Sequence, residues 1–186
     1  MTTVLYAHPY SGSFNHAILE EVVSVLKEQK RDHSVIDLYA DGFNPALEAS
    51  SLRLYSRGET ADPLAKKYLD QLIASDSIIM IFPVWWGMMP AIVKGFFDKV
   101  MLAGTAYGYD ASGNLVPDKI NLKRTLIFTT SQAPADLFRP FFADYLKSRI
   151  LDAVGFHNAE WYDCSETAHG PAENRTDFLK LVREKV

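Results

Sequence analysis

The stretch Ile78-Ile-Met-Ile-Phe-Pro-Val-Trp-Trp-Gly-Met-Met-Pro90 decides the fold of this chain. Its first five residues form an apolar run of strand length, which is typical of a strand buried on both faces of a parallel sheet. Two tryptophans, a glycine and a proline follow, and a helical pattern then extends from Ala91 to Val100. Open α/β sheets bind ligands at the loops that leave the carboxyl ends of their strands. The stretch therefore predicts a central strand, a ligand-binding loop and a helix.

The two tryptophans of this loop are the strongest candidates for ligand contact. Trp85 and Trp86 each offer a flat apolar face and an indole N–H donor, and Gly87 allows close approach of the backbone to a ligand. The alternative is that both indoles belong to the hydrophobic core. The composition of the neighbouring loops favours the ligand interpretation.

Apolar runs and amphipathic patterns alternate along the rest of the chain without a repeat or a linker. The predicted further strands are Thr3–Ala7, Ser34–Tyr39, Lys123–Ser131 and Phe156–Asp163. Helices are predicted after Ser13 and over 46–58, 64–75, 91–100, 137–154 and 172–185. This alternation predicts an α/β fold, with one three-layer, doubly wound, five-stranded parallel sheet in a single domain over residues 1–186.

Two segments differ from the simple pattern of buried strands and amphipathic helices. The helix from Ala91 to Val100 is unusually apolar, and Phe96 and Phe97 on it suggest a face exposed for a partner, with burial in the core as the alternative. The Gly/Ser-rich segment Ala103–Asn114 is predicted to form a loop or hairpin that carries Tyr107 and Tyr109.

The loop after the first strand has the features of an anion site. Ser13 lies at an N-cap position, where unpaired N–H groups and the helix dipole favour a phosphate, and Ser11 and Asn15 add polar side chains. The loop lacks the Gly-x-x-x-x-Gly-Lys-Ser/Thr pattern, so hydrolysis of ATP or GTP is not expected. It also lacks Gly-x-Gly-x-x-Gly, so a dinucleotide-type Rossmann domain is not expected. The following helix shows one apolar face, formed by Ile18, Val22, Val25 and Leu26.

Composition excludes several classes of function. The formal net charge is -4 and no Lys/Arg-rich block occurs, so nucleic-acid binding is not expected. No apolar stretch is long enough to cross a bilayer and no secretory signal is seen, which predicts a cytoplasmic protein without membrane insertion. The single cysteine, Cys164, is expected to be a buried thiol, and the five histidines show no metal-ligand spacing, so no metal is predicted.

Three loops at strand ends, 8–15, 83–90 and 129–134, carry the polar and aromatic residues that a planar, phosphorylated ligand needs. A flavin nucleotide fits this description, with its phosphate at the first helix, its ring against the tryptophan loop and its polar edge at the third loop. In such proteins the cofactor performs the redox chemistry and the protein positions and tunes it.

The motifs along nearly the whole chain resemble those of the NAD(P)H:quinone oxidoreductases of the DT-diaphorase type, which have a flavodoxin-like fold. The segment His8-x-x-x-x-Ser13-Phe14-Asn15 resembles their flavin-phosphate segment. Further matching segments follow in order: Asp37-Leu-Tyr-Ala40, Phe43-Asn-Pro45, Phe82-Pro83, Trp86, Pro90-Ala-Ile92, Lys94-Gly-x-Phe97, Ala106-Tyr107-x-Tyr109 and Pro171-Ala-Glu-Asn-Arg175.

The resemblance implies roles for individual residues. It places the phosphate or diphosphate of FAD, with FMN as the alternative, on His8, Ser13, Phe14 and Asn15. It implies that the flavin ring is lined by Pro83, Val84, Trp86 and Gly87, beside Trp85. Thr130 and Ser131 would bond the polar edge of the ring, and we expect Gln132 to donate to that edge as well. Arg175 would lie near the adenine half of FAD.

The resemblance also implies a homodimer with shared active sites, since Tyr107 and Tyr109 match tyrosines that reach into the site of the other subunit. The expected reaction is ping-pong: NAD(P)H delivers hydride to the flavin and leaves, and a quinone or related electron-poor aromatic then takes two electrons in the same slot. The catalytic walls of that slot would be Trp86, Tyr107 and Tyr109.

One departure from the family leaves the electron acceptor open. The family shows a Gly-Gly turn and then a Tyr and a His after the fourth strand, whereas this chain reads Ser131-Gln-Ala-Pro-Ala-Asp136 and has no histidine between His33 and His157. Two alternatives therefore stay open, a flavodoxin-like electron carrier without a nicotinamide site and a flavoprotein regulatory subunit of a potassium efflux system. A serine hydrolase is disfavoured because no Gly-x-Ser-x-Gly elbow occurs.

Overall fold

Strands and helices alternate along the chain, and a computed structural model describes all residues from 1 to 186. The strands are β1 (Thr2–Tyr6), β2 (His33–Asp37), β3 (Ser77–Pro83), β4 (Tyr107–Tyr109), β5 (Leu115–Pro117), β6 (Arg124–Thr130) and β7 (Ala159–Cys164). The α-helices are α1 (Phe14–Glu28), α2 (Ala49–Tyr55), α3 (Pro63–Ile73), α4 (Ala91–Val100) and α5 (Ala172–Lys185). No helix is long and apolar enough to cross a membrane.

Five strands form one parallel sheet in the order β2-β1-β3-β6-β7, which confirms the predicted doubly wound fold. Strand β3 lies in the middle, and every residue from Ile78 to Pro83 is buried, because helices cover both faces of the sheet. The carboxyl ends of β1, β3 and β6 therefore meet at one edge. The remaining two strands, β4 and β5, pair antiparallel, so of the two alternatives for the segment Ala103–Asn114 the structure shows a hairpin, and its second strand lies just beyond that segment.

The sheet separates two hydrophobic cores, which makes the three layers. The larger core packs α3 and α4 on one face and includes Tyr68, Phe82 and Phe96. The smaller core packs α1 and α5 on the other face and includes Ile18 and Phe128. Alternation along each strand sends successive side chains to the two cores, as Ile78 and Ile79 show.

Two predicted strands have an end that differs by more than one residue in the structure. Strand β2 stops at Asp37 instead of Tyr39, because the Asp37 carboxylate accepts hydrogen bonds from the N–H groups of Tyr39 and Ala40 and closes a turn. Strand β7 begins at Ala159 instead of Phe156, because Asn158 has a φ of 50° and interrupts the extended backbone.

The predicted helix over 137–154 is divided into three helical segments, and none of them is an α-helix. Residues Pro140–Leu151 form a π-helix, with 3-10 turns at Ala135–Leu137 and Asp152–Val154 on either side. Pro140 has no N–H to donate at its start, and the Phe142 ring stacks on Trp161 of β7 with the ring centroids 5.6 Å apart. The predicted helix over 46–58 is shorter than expected and covers only Ala49–Tyr55.

The expectation of an exposed partner face on α4 is also wrong for its phenylalanines. Phe96 and Phe97 are both buried within the chain, where Phe96 packs near Tyr68 and Phe97 near Phe156.

Gly95 is required for the close packing of α4 on the 43–45 turn. A Cβ at this position would lie 2.4 Å from the Pro45 carbonyl oxygen, so only glycine allows α4 to approach the turn this closely.

A buried ion pair fastens α4 to the start of α3. Lys99 is 2% exposed, and its ammonium pairs with Asp62 and donates to the Asn44 carbonyl oxygen at 2.8 Å. Asp62 also caps α3 by accepting from the N–H groups of Leu64 and Ala65. Burial alone would raise the pKa of Asp62, but the hydrogen bonds from Lys99 and the two amides lower it below its usual value.

We predict that Asp62→Asn lowers the free energy of unfolding by about 3 kcal/mol, because the neutral amide leaves the Lys99 charge buried without a counter-ion. The asparagine still caps α3, so the loss isolates the ion pair. Urea unfolding followed by circular dichroism measures the change.

The matched control is Asp70→Asn on the same helix, which breaks the exposed Lys66–Asp70 pair and should change stability by less than about 0.5 kcal/mol. Since folding lowers the pKa of Asp62, the stabilisation is present above about pH 4 and is lost as the pH falls further. Equal losses in the two variants would contradict this assignment.

Candidate functional site

A polar cavity opens where the carboxyl ends of β1, β3 and β6 meet. Its volume is about 250 Å³. The residues that line it come from four segments of the chain: His8, Ser13, Phe14, Asn15, Pro83, Val84, Trp85, Thr130, Ser131, Gln132, Thr167 and Ala168. The sheet topology thus brings the three predicted loops to one place.

The N-terminus of α1 forms one wall of this cavity. The Ser13 hydroxyl accepts a hydrogen bond from the His16 N–H at 3.2 Å, as expected for the N-cap. The N–H groups of Phe14 and Asn15 have no acceptor within the protein. Two donors and the positive end of the helix dipole are therefore available to an anion.

Asn15 joins α1 to the end of β6. Its side chain is 3% exposed, and Nδ2 donates to Thr130 Oγ1 at 2.8 Å. Its other polar atom, Oδ1, is buried without any hydrogen-bond partner in the protein. Buried polar atoms are nearly always paired, so this oxygen requires a ligand or solvent donor.

His8 forms the opposite rim and contacts the tryptophan loop. Its ring meets Trp85 edge-on, with the centroids 6.1 Å apart, and Nδ1 lies 3.1 Å from the Tyr10 N–H. Partial burial lowers the pKa of His8, and its hydrogen bond with the Tyr10 backbone opposes this only in part. The imidazole is consequently neutral at physiological pH.

The tryptophan loop is a tight turn. Trp85 and Met88 exchange two backbone hydrogen bonds, with N···O distances of 3.0 and 3.1 Å. Trp86 and Gly87 between them have φ angles of 53° and 75°, so Trp86 adopts a conformation that costs a non-glycine residue about 1 kcal/mol. The turn points the Trp86 indole into solvent, fully exposed, whereas Trp85 is 41% exposed and lines the cavity.

A second, more apolar hollow of about 510 Å³ continues from the first, and the two share Val84, Trp85 and Gln132. Trp86, Gly87, Ala133 and Phe138 complete its lining. Together the two hollows make one cleft, polar at α1 and apolar at the tryptophans. We call it the strand-end cleft.

The segment from Cys164 to Ala168 is a wall of the cleft that the sequence did not reveal. Ser131 N–H donates to the Cys164 carbonyl and Thr167 N–H donates to the Ser131 carbonyl, which ties this segment to the end of β6. The Gln132 Oε1 accepts from the Ala168 N–H at 3.2 Å, and its Nε2 remains as the donor that the sequence predicts for a ligand. Cys164 is buried, as predicted, and burial raises the pKa of its thiol.

Arg175 lies beside the cleft, not in it. Its guanidinium donates to the Thr167 carbonyl at 2.6 Å and lines a groove between α1 and α5. That groove adjoins the cleft through Phe14, which lines both. Two further cations, Lys180 and Arg183, line the same groove.

Tyr107 and Tyr109 do not line the same hollow as Trp86. They line a different hollow of about 420 Å³, which is mostly apolar and includes Tyr55, Met89 and Phe97. The two tyrosine rings contact each other edge-on with centroids 6.0 Å apart. The three predicted catalytic residues are therefore divided between two surfaces.

The chain is similar to a flavodoxin-like family and to several NAD(P)H oxidoreductases. The family Flavodoxin_2, described as having a flavodoxin-like fold, matches residues 1–185. Rattus norvegicus NAD(P)H dehydrogenase (quinone) 1 is 27% identical over 98% of this chain and 75% of the rat protein. An uncharacterised NAD(P)H oxidoreductase of Haemophilus influenzae is 30% identical over 85% of this chain and 80% of its own. The structure of an NAD(P)H:quinone oxidoreductase from Methanothermobacter marburgensis superposes with a TM-score of 0.82 at 25% identity, covering 98% of this chain and 93% of that one.

We predict that Thr130→Val lowers the free energy of unfolding by about 1–3 kcal/mol, because it removes the acceptor of the buried Asn15 Nδ2 and leaves that donor unpaired. Chemical denaturation is the measurement. Thr125→Val on the same strand is the control, since the Thr125 hydroxyl is buried without a partner and its removal should leave stability unchanged or raised. A Thr130→Val protein as stable as the Thr125→Val protein would refute the role of this hydrogen bond.

Proposed function

This chain belongs to the Flavodoxin_2 family of flavodoxin-like folds, and from that premise we propose that it is a flavin-dependent NAD(P)H oxidoreductase that reduces quinones or related electron-poor aromatics. The observation that supports this most is the strand-end cleft. It combines free helix amides, a buried acceptor without a partner and an indole wall in one continuous space.

The polar end of the cleft fits the phosphate and sugar-alcohol part of a flavin nucleotide. The free N–H groups of Phe14 and Asn15 suit a phosphate, and neutral His8 adds a ring nitrogen at the rim. The unpaired Asn15 Oδ1 suits a hydroxyl donor, of which the ribityl chain has several. In this proposal Ser13 holds the helix start in place and does not itself carry the ligand's charge.

The apolar end of the cleft fits the ring. Pro83, Val84 and Trp85 supply an apolar wall, and Gly87 lets the turn follow the ring edge. Thr130, Ser131 and Gln132 supply polar atoms on the other side. A bound flavin supplies the chemistry of the reaction, namely passage of two electrons from a nicotinamide to an aromatic acceptor. The chain's part is to orient the two substrates in turn at the same apolar slot.

FAD is the proposed cofactor, with FMN as the alternative. The groove between α1 and α5 continues from the polar end of the cleft and carries Arg175, Lys180 and Arg183. A cationic groove at that end suits the additional phosphate and adenosine of FAD, which FMN lacks. Glu21 in the same groove pairs with Arg183, so Arg175 is the cation we assign to the adenosine diphosphate part.

A second copy of the chain is the proposed partner. The exposed indole of Trp86 protrudes from one surface, and the apolar hollow that holds Tyr107 and Tyr109 lies on another. Large exposed apolar features of this kind mark association surfaces. A twofold dimer places the hollow of one subunit over the tryptophan turn of the other, and this encloses two equivalent sites.

We predict that the purified protein is yellow, that heating releases FAD, and that mixing with NADPH or NADH without oxygen bleaches the flavin band near 450 nm within seconds. Mass spectrometry of the released chromophore identifies FAD or FMN. Adding a quinone to the reduced protein should restore the band, and steady-state rates should show the parallel lines of a ping-pong reaction.

Two outcomes would count against the proposal in different ways. A colourless protein that takes up neither FAD nor FMN would contradict flavin binding altogether. A yellow protein that stays yellow with both nicotinamides would favour the electron-carrier alternative, since that function needs the cofactor but no hydride donor site.

We predict that Trp86→Ala and Tyr109→Ala each lower quinone reduction severely, and that mixing the two variants restores activity. Random exchange makes half of the dimers mixed, and each mixed dimer holds one site without either substitution, so roughly a quarter of all sites recover. Activity after subunit exchange is the measurement. No recovery would indicate that both residues serve the site of their own subunit.

A further inference from the structure

Asp163 lies behind the strand-end cleft and gathers three hydroxyl groups. At the carboxyl end of β7, it accepts hydrogen bonds from Thr129 at 2.7 Å, Ser131 at 2.6 Å and Ser165 at 3.0 Å. Thr129 in turn accepts from the Trp161 indole N–H at 2.9 Å. Of this network, only Ser131 lines the cleft.

The carboxylate has no cation beside it. Burial raises the pKa of Asp163, and the hydrogen bonds from Ser131, Thr129 and Ser165 lower it only in part. A charge that is partly buried and compensated by hydroxyl groups alone is costly to maintain. The Asp163 carboxylate acts on its surroundings by orienting the hydroxyl groups that donate to it.

The hydrogen bond to Asp163 fixes which way the Ser131 hydroxyl faces. A serine hydroxyl has one proton, and an ionised carboxylate can only accept. The proton of Ser131 is taken by acceptors of the protein, Asp163 Oδ2 at 2.6 Å and the Ala133 carbonyl at 2.9 Å. Only the lone pairs of Ser131 Oγ are then available to a ligand in the cleft, so Oγ can accept a hydrogen bond from it.

We infer that Asp163 is a positioning residue that makes Ser131 a hydrogen-bond acceptor, so that the cleft selects a planar heterocycle that presents an N–H at this point. The inference rests on the proposed function, because the oxidised flavin ring carries one such N–H group, at N3. Asp163 does not touch the ligand and acts only through the Ser131 hydroxyl.

The test compares FMN with 3-methyl-FMN, in which a methyl group replaces that N–H. Titration of each flavin into the cofactor-free protein, followed by quenching of flavin fluorescence, gives the ratio of the two dissociation constants. The wild-type protein should prefer FMN, and Asp163→Ala and Ser131→Ala should each reduce that preference roughly tenfold, the worth of one hydrogen bond between neutral groups. The double variant should discriminate no worse than Ser131→Ala alone.

Two controls separate positioning from general damage. Ser165→Ala removes a donor to the same carboxylate without touching a residue that lines the cleft, and it should keep the wild-type preference. Asp163→Asn should keep most of it, since the amide oxygen can still accept from Ser131. Circular dichroism monitors folding, and if Asp163→Ala does not fold, Ser131→Ala and Asp163→Asn carry the test.

The outcomes are distinct. A further loss of preference on adding Asp163→Ala to Ser131→Ala, or an unchanged preference in Ser131→Ala, overturns the inference while flavin binding stands. A wild-type protein that takes up neither FMN nor FAD overturns the proposed function, and the inference with it.

Discussion

A single buried hydrogen bond, from Asn15 Nδ2 to Thr130 Oγ1, joins two of the polar walls of the strand-end cleft. Asn15 belongs to the helix that follows β1, and Thr130 ends β6, two strands away with β3 between them. The bond therefore spans the central strand and fixes the helix amides at a set distance from the polar loop after β6. The free amides of Phe14 and Asn15 lie at one end of this bond, and the Ser131 hydroxyl follows Thr130 at the other end.

The architecture and much of the cleft were predictable because they depend on local pattern and topology. Continuous apolar runs such as Ile78–Phe82 identify strands buried on both faces, and a parallel sheet then brings their following loops to one edge. Ser13 was recognisable as a cap from its position before an amphipathic run. Once the sheet order is known, His8, Val84 and Thr130 have to be neighbours.

The remaining features depend on contacts that leave no local pattern. Thr167 and Ala168 reach the cleft through their backbone N–H groups, which donate to the Ser131 carbonyl and to Gln132 Oε1 in the loop after β6, and almost any residue type can supply such a donor. The π-helix over Pro140–Leu151 packs Phe142 on Trp161, and nothing in its local sequence distinguishes it from an α-helix. The separation of Tyr107 from Trp86 is a matter of which surface each loop occupies, and spacing along the chain does not encode it.

The close approach of Gly95 to Pro45 sets a limit on how this chain can diverge. With atoms of the 43–45 turn 2.4 Å from where a Cβ would stand, even alanine would push α4 away from its seat. That displacement would also pull Lys99 away from Asp62, so the position of the most deeply buried charge depends on the smallest side chain. A substitution at position 95 would therefore disturb the turn, the helix and the ion pair at once.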